Sequence, residues 1–319
     1  MLIGKGTEES PYLIGDANEL GAIRWEPRAH YCLVSDVNLP GILWTSSVVP
    51  WFNGSLDGRG HVIRYLHMEE GAYLGLFGTL APSSTVINLG LEEVFIQSEG
   101  DNIGGLAGIN KEGTISKCYI TGLVEANDSC VGGLVGVNEE GTISKSYSTG
   151  SVTGSIYIGG LVGWNNDGDV SISYAMGMVS GSSTVGGLVG NNDGSISNSY
   201  STNTVNGEYL YIGGLVGDNS GSIMNSYSVS TVTGYEDVGG LIGNRWSPDV
   251  TNCFWECGPG ADPLGTGCTP TADMQDIRTF LDAGWDIESE KFNGKETIWW
   301  MPEDNYPRFR WEIGYETSP

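Results

Sequence analysis

Positive charge is scarce in this sequence. Lys and Arg together number 14 against 39 Asp and Glu, which gives a formal net charge of −25 over 319 residues. A surface of that sign repels the phosphates of nucleic acids and the head groups of anionic lipids. Nucleic acid and membrane are therefore not expected as partners, whereas cations and a salty exterior are compatible with the composition.

Long apolar runs are also missing. No stretch approaches the roughly 20 apolar residues that a membrane-spanning helix requires. The opening residues MLIGKG lack the charged and apolar regions of a signal peptide. This leaves two alternatives open, a processed or excised segment of a longer secreted protein and a cytosolic chain.

Cysteine gives little guidance to the fold. The six Cys form no CxxC pair. Cys257 and Cys268 bracket a Gly- and Pro-rich loop, where a disulfide would contribute about 2–4 kcal/mol of stability. Two unpaired thiols are an equally good interpretation of this pair.

Glycine is abundant, but its 50 residues do not indicate collagen, because only 12 Pro accompany them. Glycine recurs instead in a repeat that reads VGGLVGxN, then a turn, then GxISxSYS and VxG. The first glycine of the GG pair falls at Gly104, Gly132, Gly159, Gly186, Gly213 and Gly239. The copies are therefore about 27 residues apart, which predicts a repeat architecture.

Four residue types keep their place from copy to copy. The columns are Leu106, Leu134, Leu161, Leu188, Leu215 and Leu241; Asn110, Asn138, Asn165, Asn192 and Asn219; Tyr119, Tyr147, Tyr174, Tyr200 and Tyr227; Val124, Val152, Val179, Val205 and Val232. Each unit holds three short β-type runs between Asn, Asp and Gly turns, without helical periodicity. Three strands in about 27 residues predict one coil of an all-β parallel β-solenoid.

Stacked coils turn each column into a ladder with a spacing of about 4.8 Å. Leu and Val ladders would fill the core, and the Asn side chains would hydrogen-bond from coil to coil at a turn. Strict alternation in TISKSYS, however, would bury Lys145 together with Ile143 and Tyr147. We therefore expect either a bend in that run or a Tyr column that points outward.

The flanks of the repeats predict covers for the open ends of the solenoid. A short helix with Asp16 as its N-cap begins the chain, and a second helix precedes a Trp-rich end whose aromatic side chains are expected to cover the core. The predicted division is an N-terminal cap over 1–50, degenerate entry coils over 51–103, regular coils over 104–254 and a C-terminal cap over 255–319.

The pattern GGLVGxN…ISxSYS resembles the GLUG motif, a repeat of bacterial surface proteins. These proteins include haemagglutinin-type adhesins and the non-catalytic part of IgA-specific metallopeptidases. The match is tight over 104–254, and SPYLI near the start, FxGxLDGxGH at 52–61 and NCFW at 252–255 resemble segments that accompany it. The resemblance implies a secreted or surface-displayed β-solenoid, as part of a larger surface protein, and it carries over no catalytic residues.

Many parallel β-helices degrade polysaccharides, so an enzyme is an alternative for this fold. No Lys, Arg or His occurs between Ser146 and Asn244, although a lyase needs a base and a positive group. Asp57 and His61 lie together in DGRGH, for which a structural turn is the favoured interpretation.

Two other carboxylates could serve a glycosidase, because Asp167 and Asp193 occupy the same turn on adjacent coils. Their NNDG and NDG contexts are nevertheless typical of turns, which is the favoured interpretation. With Asp218 they are also weak candidates for a Ca²⁺ site at one edge. The sequence has no DxDxDG loop to support Ca²⁺, so no cofactor is predicted.

The segments before each GG pair vary in length and content, as recognition loops do. Aromatic side chains there could stack on sugar rings: Tyr157, Trp164, Tyr209, Tyr211 and Tyr235. Ordinary surface tyrosines without a ligand are an equal alternative. We predict a non-catalytic extracellular or cell-surface module for glycan or protein binding or for spacing; the alternative is a polysaccharide lyase or glycoside hydrolase.

Overall fold

The computed structural model of the chain describes residues 2–247, 249–256, 271–289, 297–303 and 305–315. Within them the chain winds as a parallel β-solenoid, because strands at equivalent positions of successive coils pair in register. The predicted all-β solenoid with about 27 residues per coil is confirmed. Cys257 and Cys268 lie outside the described residues.

Each regular coil contains four strands rather than the three that the sequence predicts. The GLVG run is divided at Gly160, so one strand ends at Gly159 and the next begins at Val162. A Cβ atom at Gly160 would lie 2.2 Å from the carbonyl oxygen of Gly187. Only glycine therefore allows the neighbouring coils to approach at this corner.

Two of the four parallel sheets follow the turn that comes after the Asn column. The first sheet consists of Tyr12–Ile14, His30–Leu33, Ser55–Asp57, Thr85–Ile87, Thr114–Ser116, Thr142–Ser144, Asp169–Ser171, Ser195–Ser197, Ser222–Met224 and Val250–Thr251. The second sheet consists of Val37–Asn38, Leu43–Trp44, Val62–Arg64, His67–Glu69, Gly90–Ser98, Tyr119–Ala126, Tyr147–Thr153, Tyr174–Gly181, Tyr200–Gly207, Tyr227–Ser228, Thr231–Thr233 and Phe254–Trp255.

The other two sheets are formed on either side of the GG pair. The third sheet consists of Ile103–Gly104, Val131–Gly132, Ile156–Gly159, Ser183–Gly186, Ile212–Gly213 and Val238–Gly239. The fourth sheet consists of Val49–Phe52, Phe77–Leu80, Ala107–Lys111, Val135–Glu139, Val162–Asn166, Val189–Asn192, Val216–Asn219 and Ile242–Arg245. Along the chain a regular coil thus runs through the third, fourth, first and second sheets.

The interior of the solenoid is built from the predicted ladders. Leu134, Leu161 and Leu188 are fully buried, and each backbone N–H donates to the carbonyl of the next leucine, at 3.0 and 2.9 Å. They are therefore axial neighbours. Burial of one such side chain contributes roughly 1.5–3 kcal/mol.

The Asn column is a continuous hydrogen-bond ladder. Asn138 Nδ2 donates to Asn165 Oδ1 at 2.8 Å and to the Gly141 carbonyl at 2.9 Å. The same pattern joins the members from Asn110 to Asn219, all of which are fully buried. The predicted coil-to-coil amide contacts are confirmed.

The tyrosine column points outward. Lys145 has a φ of 49° in the left-handed region, so the chain bends between Ser144 and Tyr147. The five tyrosine rings stack with centroids 4.8–5.0 Å apart and interplanar angles of at most 8°. The bend in the run and the outward tyrosine column, which were expected as alternatives, therefore occur together and keep Lys145 out of the core.

The N-terminal cap contains a short helix, Ala17–Ala22, followed by a 3-10 turn, Ile23–Trp25. The Asp16 side chain accepts from the N–H groups of Asn18 and Glu19 at 2.8 and 2.9 Å, as predicted for an N-cap. Leu20 and Ile23 are fully buried against the first coils.

The C-terminal segment lies along the side of the coils. Its elements are the helices Thr271–Met274 and Ile277–Asp282, the strands Ile287–Glu288, Trp299–Trp300 and Arg308–Phe309, and the 3-10 helix Arg310–Tyr315. Trp299, Phe309 and Trp311 pack on the tyrosine ladder. We call the described residues from 271 to 315 the aromatic clamp.

Trp255, in the last strand of the second sheet, belongs to the core cluster of the solenoid and is 9% exposed. No helix among the described residues is long and apolar enough to cross a membrane. The division of the chain into caps, entry coils and regular coils stays a prediction.

Candidate binding surfaces

A column of large and polar side chains lies on the outer side of the fourth sheet. Trp164, Asn191, Asp218 and Asn244 are paired in register on successive coils. Asn165, Asn192 and Asn219, which directly follow the first three members, are fully buried. Because side chains alternate along a strand, Trp164, Asn191 and Asp218 point away from this buried asparagine ladder. We call them, with Tyr157, Asp193 and Trp246, the tryptophan face.

Trp164 is held in place by hydrogen bonds. Its Nε1 donates to Asp193 Oδ2 at 2.7 Å, and Asn191 Nδ2 donates to the same oxygen at 3.0 Å. The ring of Tyr157 lies 6.0 Å from that of Trp164 at an angle of 34°. The partly exposed indole is thus fixed beside a second ring and a carboxylate.

At the far end of this face, Asn244 Nδ2 donates to Asp218 Oδ1 at 3.0 Å. Burial raises the pKa of Asp218, and the hydrogen bond from Asn244 opposes that rise. Trp246 is 71% exposed, and the sequence analysis did not single it out. Trp246 directly follows Asn244 and Arg245, which end the last strand of the fourth sheet, and this position could have indicated it.

The predicted tyrosines lie at and before the corner that leads into the third sheet. Tyr157 and Tyr211 occupy this corner on alternate coils, with φ values of 61° and 63°. Tyr209 and Tyr235 precede it and are 58% and 82% exposed. The structure therefore gathers these four on one side, with Tyr157 in contact with Trp164.

The three acidic candidates have different surroundings. Asp167 is exposed on its turn, with a φ of 52°, whereas Asp193 binds Trp164 and Asp218 binds Asn244. No group of three or more His, Cys, Asp or Glu among the described residues is placed to hold a metal ion. A Ca²⁺ site and a catalytic pair of glycosidase carboxylates at these positions therefore stay predictions.

His61 pairs with Asp36 rather than with the predicted Asp57. Its Nδ1 lies 3.3 Å from Asp36 Oδ1, and Arg64 binds the other Asp36 oxygen at 2.8 Å. The Arg64 guanidinium lowers the pKa of Asp36. Asp57 instead accepts hydrogen bonds from Arg59 N at 2.9 Å and from Asn88 Nδ2 at 3.0 Å. Among the described residues, no hydrogen bond joins Asp57 to His61.

A second His lies beside a hydroxyl. His30 Nδ1 and Ser55 Oγ are 2.7 Å apart on neighbouring strands of the first sheet. The sequence alone did not predict this pair, because the two residues are 25 positions apart and lie outside the regular repeats.

A groove follows the corner between the first and second sheets. One part, of about 380 Å³, is lined by Arg59, Gly60, Asn88, Leu89, Gly90, Lys117 and Tyr119. The adjoining part, of about 170 Å³, is lined by Lys117, Tyr119, Lys145, Tyr147 and Trp311. We call the two parts the basic groove. This groove was not predicted from the sequence, although Lys117 and Lys145 occupy one column of the repeat.

Comparison with known proteins supports the repeat assignment. The GLUG motif family matches residues 127–153 and 181–206. A provisionally named Gly-rich membrane protein of Evansella cellulosilytica is 33% identical over 121 residues, which cover 34% of this chain and 14% of the relative. Halomucin of Haloquadratum walsbyi is 32% identical over 142 residues, which cover 39% of this chain and 2% of the relative.

Two solved structures share the fold. A provisionally named immunoglobulin A1 protease from Bacteroides ovatus has a TM-score of 0.67 at 21% identity, covering 97% of this chain and 94% of that one. A structure named IgA1 Protease has a TM-score of 0.56 at 18% identity, covering 79% of this chain and 22% of that one.

These structures correct the prediction that the chain is not an enzyme. Both carry the name of a protease, so the fold does not support the exclusion of catalysis that the sequence analysis made. Sequence identities of 21% and 18% show a common fold and do not by themselves transfer the named activity.

The same repeat architecture is indicated by the regular copies in the sequence, by the two motif matches and by the ladders in the structure. The curated relatives are named Gly-rich membrane protein and Halomucin, and this chain spans 14% and 2% of their lengths. The chain therefore contains GLUG-motif repeats and folds as a parallel β-solenoid.

Proposed function

We propose that the chain is a recognition module of a secreted or cell-surface protein and that it binds glycans through the tryptophan face. The observation that carries the proposal is the indole of Trp164, fixed by Asp193 beside the ring of Tyr157. Sugar rings pack their apolar faces on aromatic rings, and neighbouring amides and carboxylates bind the hydroxyls. Asn191 and Asn244 supply such groups on the same face.

The proposed location is supported by the relatives. The names Gly-rich membrane protein and Halomucin fit display at a cell surface, and the small share of each relative that is matched fits a module within a longer protein. The excess of acidic residues fits an exterior with high ionic strength.

A glycan array tests the proposal. The intact chain is expected to bind a subset of neutral glycans, and Trp164→Ala is expected to weaken that binding at least tenfold, because one face of the sugar loses its platform. Trp25→Ala is the matched control, since Trp25 is 79% exposed at the N-terminal end. Equal weakening by both variants, or binding to no glycan on the array, would contradict the proposal.

Proteolysis is a second candidate, favoured by the His30–Ser55 contact of 2.7 Å. A hydroxyl in hydrogen-bond contact with an imidazole is the first requirement for an activated serine. The names of the two fold neighbours supply the substrate to test, immunoglobulin A1. Cleavage of this substrate by the chain, abolished in Ser55→Ala and retained in Ser35→Ala, is the expected result for this function. Intact substrate after prolonged incubation would exclude it.

A further inference from the structure

The corner between the first and second sheets carries one outward side chain per coil. The corner residue is left-handed on every regular coil, with φ between 46° and 54°: Asn88, Lys117, Lys145, Ile172, Asn198, Asn225 and Asn252. Arg59, with a φ of 52°, lies in the longer corner of the coil before Asn88. Positive charge is thus confined to one stretch of this corner, from Arg59 to Lys145.

The two lysines lie directly above each other. Lys117 N donates to the Ser144 carbonyl and Lys145 N to the Ser171 carbonyl, so the two residues are in register on coils about 4.8 Å apart. Both are exposed. Among the described residues neither ammonium group forms an ion pair, whereas Lys111 on the fourth sheet pairs with Glu139 at 2.8 Å. Two adjacent ammonium groups favour an anion between them.

Aromatic rings form one wall of the groove. Trp311 stacks on Tyr147 with centroids 6.0 Å apart, and the aromatic clamp covers the ladder from there on. Tyr174, Tyr200 and Tyr227 are at most 7% exposed, while Tyr119 and Tyr147 are half-buried. The stacked surface therefore opens to solvent beside the two lysines.

The position of Tyr119 is fixed. Its hydroxyl donates to Glu92 Oε1 at 2.8 Å, and Glu92 is itself paired with Arg64 at 2.7 Å. The preceding residue of the column is Gly90, where a Cβ atom would lie 2.5 Å from the Tyr119 ring. The ring thus lies over bare backbone, which leaves the groove open towards Arg59.

We propose that the basic groove binds a uronate-containing oligosaccharide. The sugar carboxylate pairs with Lys117 and Lys145, and the apolar face of its ring packs beside Tyr119 and Trp311. Cations repeated along the groove, ending with Arg59, suit a polymer that carries a carboxylate on successive rings. The parts of the groove, about 380 and 170 Å³, suit a few sugar units. At 0.15 M salt, charges further away than about 8 Å are largely screened, so acidic residues on the other sides of the solenoid weaken the attraction little.

Calorimetric titration of the intact chain with tetragalacturonate tests this proposal. We expect binding that weakens at least tenfold when the same oligosaccharide is methyl-esterified, because esterification removes only the charge. The double variant Lys117→Gln/Lys145→Gln should lose at least tenfold in affinity. Lys111→Gln, at a paired lysine on another sheet, is the matched control and should bind as the unmodified chain does.

Three results would each overturn the proposal: the absence of binding, equal binding of the methyl ester, or unchanged affinity in the double lysine variant. Equally tight binding of hexaglutamate would show a general anion site and would overturn the assignment to a saccharide. Trp164→Ala should leave tetragalacturonate binding unchanged, so this site and the tryptophan face succeed or fail separately.

Discussion

At the scale of single residues, the surroundings of Asp218 oppose its charge. Burial is the main cause of its raised pKa, and the nearby Asp193 raises it further, whereas Asn244 and Trp246 act in the opposite direction through hydrogen bonds. A carboxyl with a raised pKa in the folded state binds its proton more tightly than in the unfolded chain. It therefore lowers stability at neutral pH, and the penalty is relieved as the pH falls through its folded pKa.

Asp218→Asn should consequently raise the free energy of unfolding at pH 7. The side chain keeps an oxygen to accept from Asn244 and loses its charge, so the gain should shrink as the pH approaches 4. Urea denaturation at both pH values measures it. Asp167→Asn, at an exposed left-handed turn that asparagine tolerates, should change little at either pH. A less stable Asp218→Asn at pH 7 would contradict this account.

At the scale of elements, the asparagine ladder joins the coils through buried amides. Asn165 accepts from Asn138 and donates to Asn192 Oδ1 and to the Gly168 carbonyl, with all three distances between 2.8 and 2.9 Å. Each side chain thus satisfies its neighbours on both sides. The strength of the ladder depends on continuity, because an unpaired buried polar group costs about 1–3 kcal/mol.

Asn165→Ala should therefore lower the free energy of unfolding by about 3 kcal/mol or more, since it leaves buried groups on two neighbouring coils without partners. Asn110→Ala is the matched control at the start of the ladder. Its Oδ1 has no hydrogen-bond partner among the described residues, so fewer contacts are lost and the decrease should be smaller. Urea denaturation compares the two variants, and equal losses would argue against a continuous ladder.

At the scale of the whole molecule, two separate hydrophobic clusters are present. One fills the solenoid, and the other lies between the tyrosine ladder and the aromatic clamp. Trp299 is fully buried at the centre of the second cluster, with ring contacts to Tyr200, Tyr227 and Phe309. We therefore expect the clamp to loosen without loss of the coils.

Trp299→Ala should remove about 3–5 kcal/mol from the packing of the clamp. Limited proteolysis with mass spectrometry should then show faster cleavage between residues 271 and 315, while the coils over 104–245 stay protected. Trp25→Ala, at an exposed site, should leave the cleavage pattern unchanged. Simultaneous cleavage of clamp and coils would show that the two clusters unfold as one unit.

The repeat and the clamp together decide which residues of the candidate binding sites could be predicted from the sequence. The tyrosines before the GG pairs were found because they belong to the repeat and lie outside its core columns. The basic groove needs three things that no local pattern contains: the left-handed turn at Lys117 and Lys145, the open ring of Tyr119, and Trp311, which comes from the far end of the chain.

By itself the sequence determined the period, the leucine and asparagine ladders and the N-cap at Asp16, because identical residues at a fixed interval can stack in one way only. The tertiary structure decided the fourth strand of each coil, the outward tyrosine stack, the pairing of His61 with Asp36 and the side on which the clamp lies. These features depend on contacts between distant segments and on the close approach of neighbouring coils at their corners, neither of which is written in a local pattern of residues.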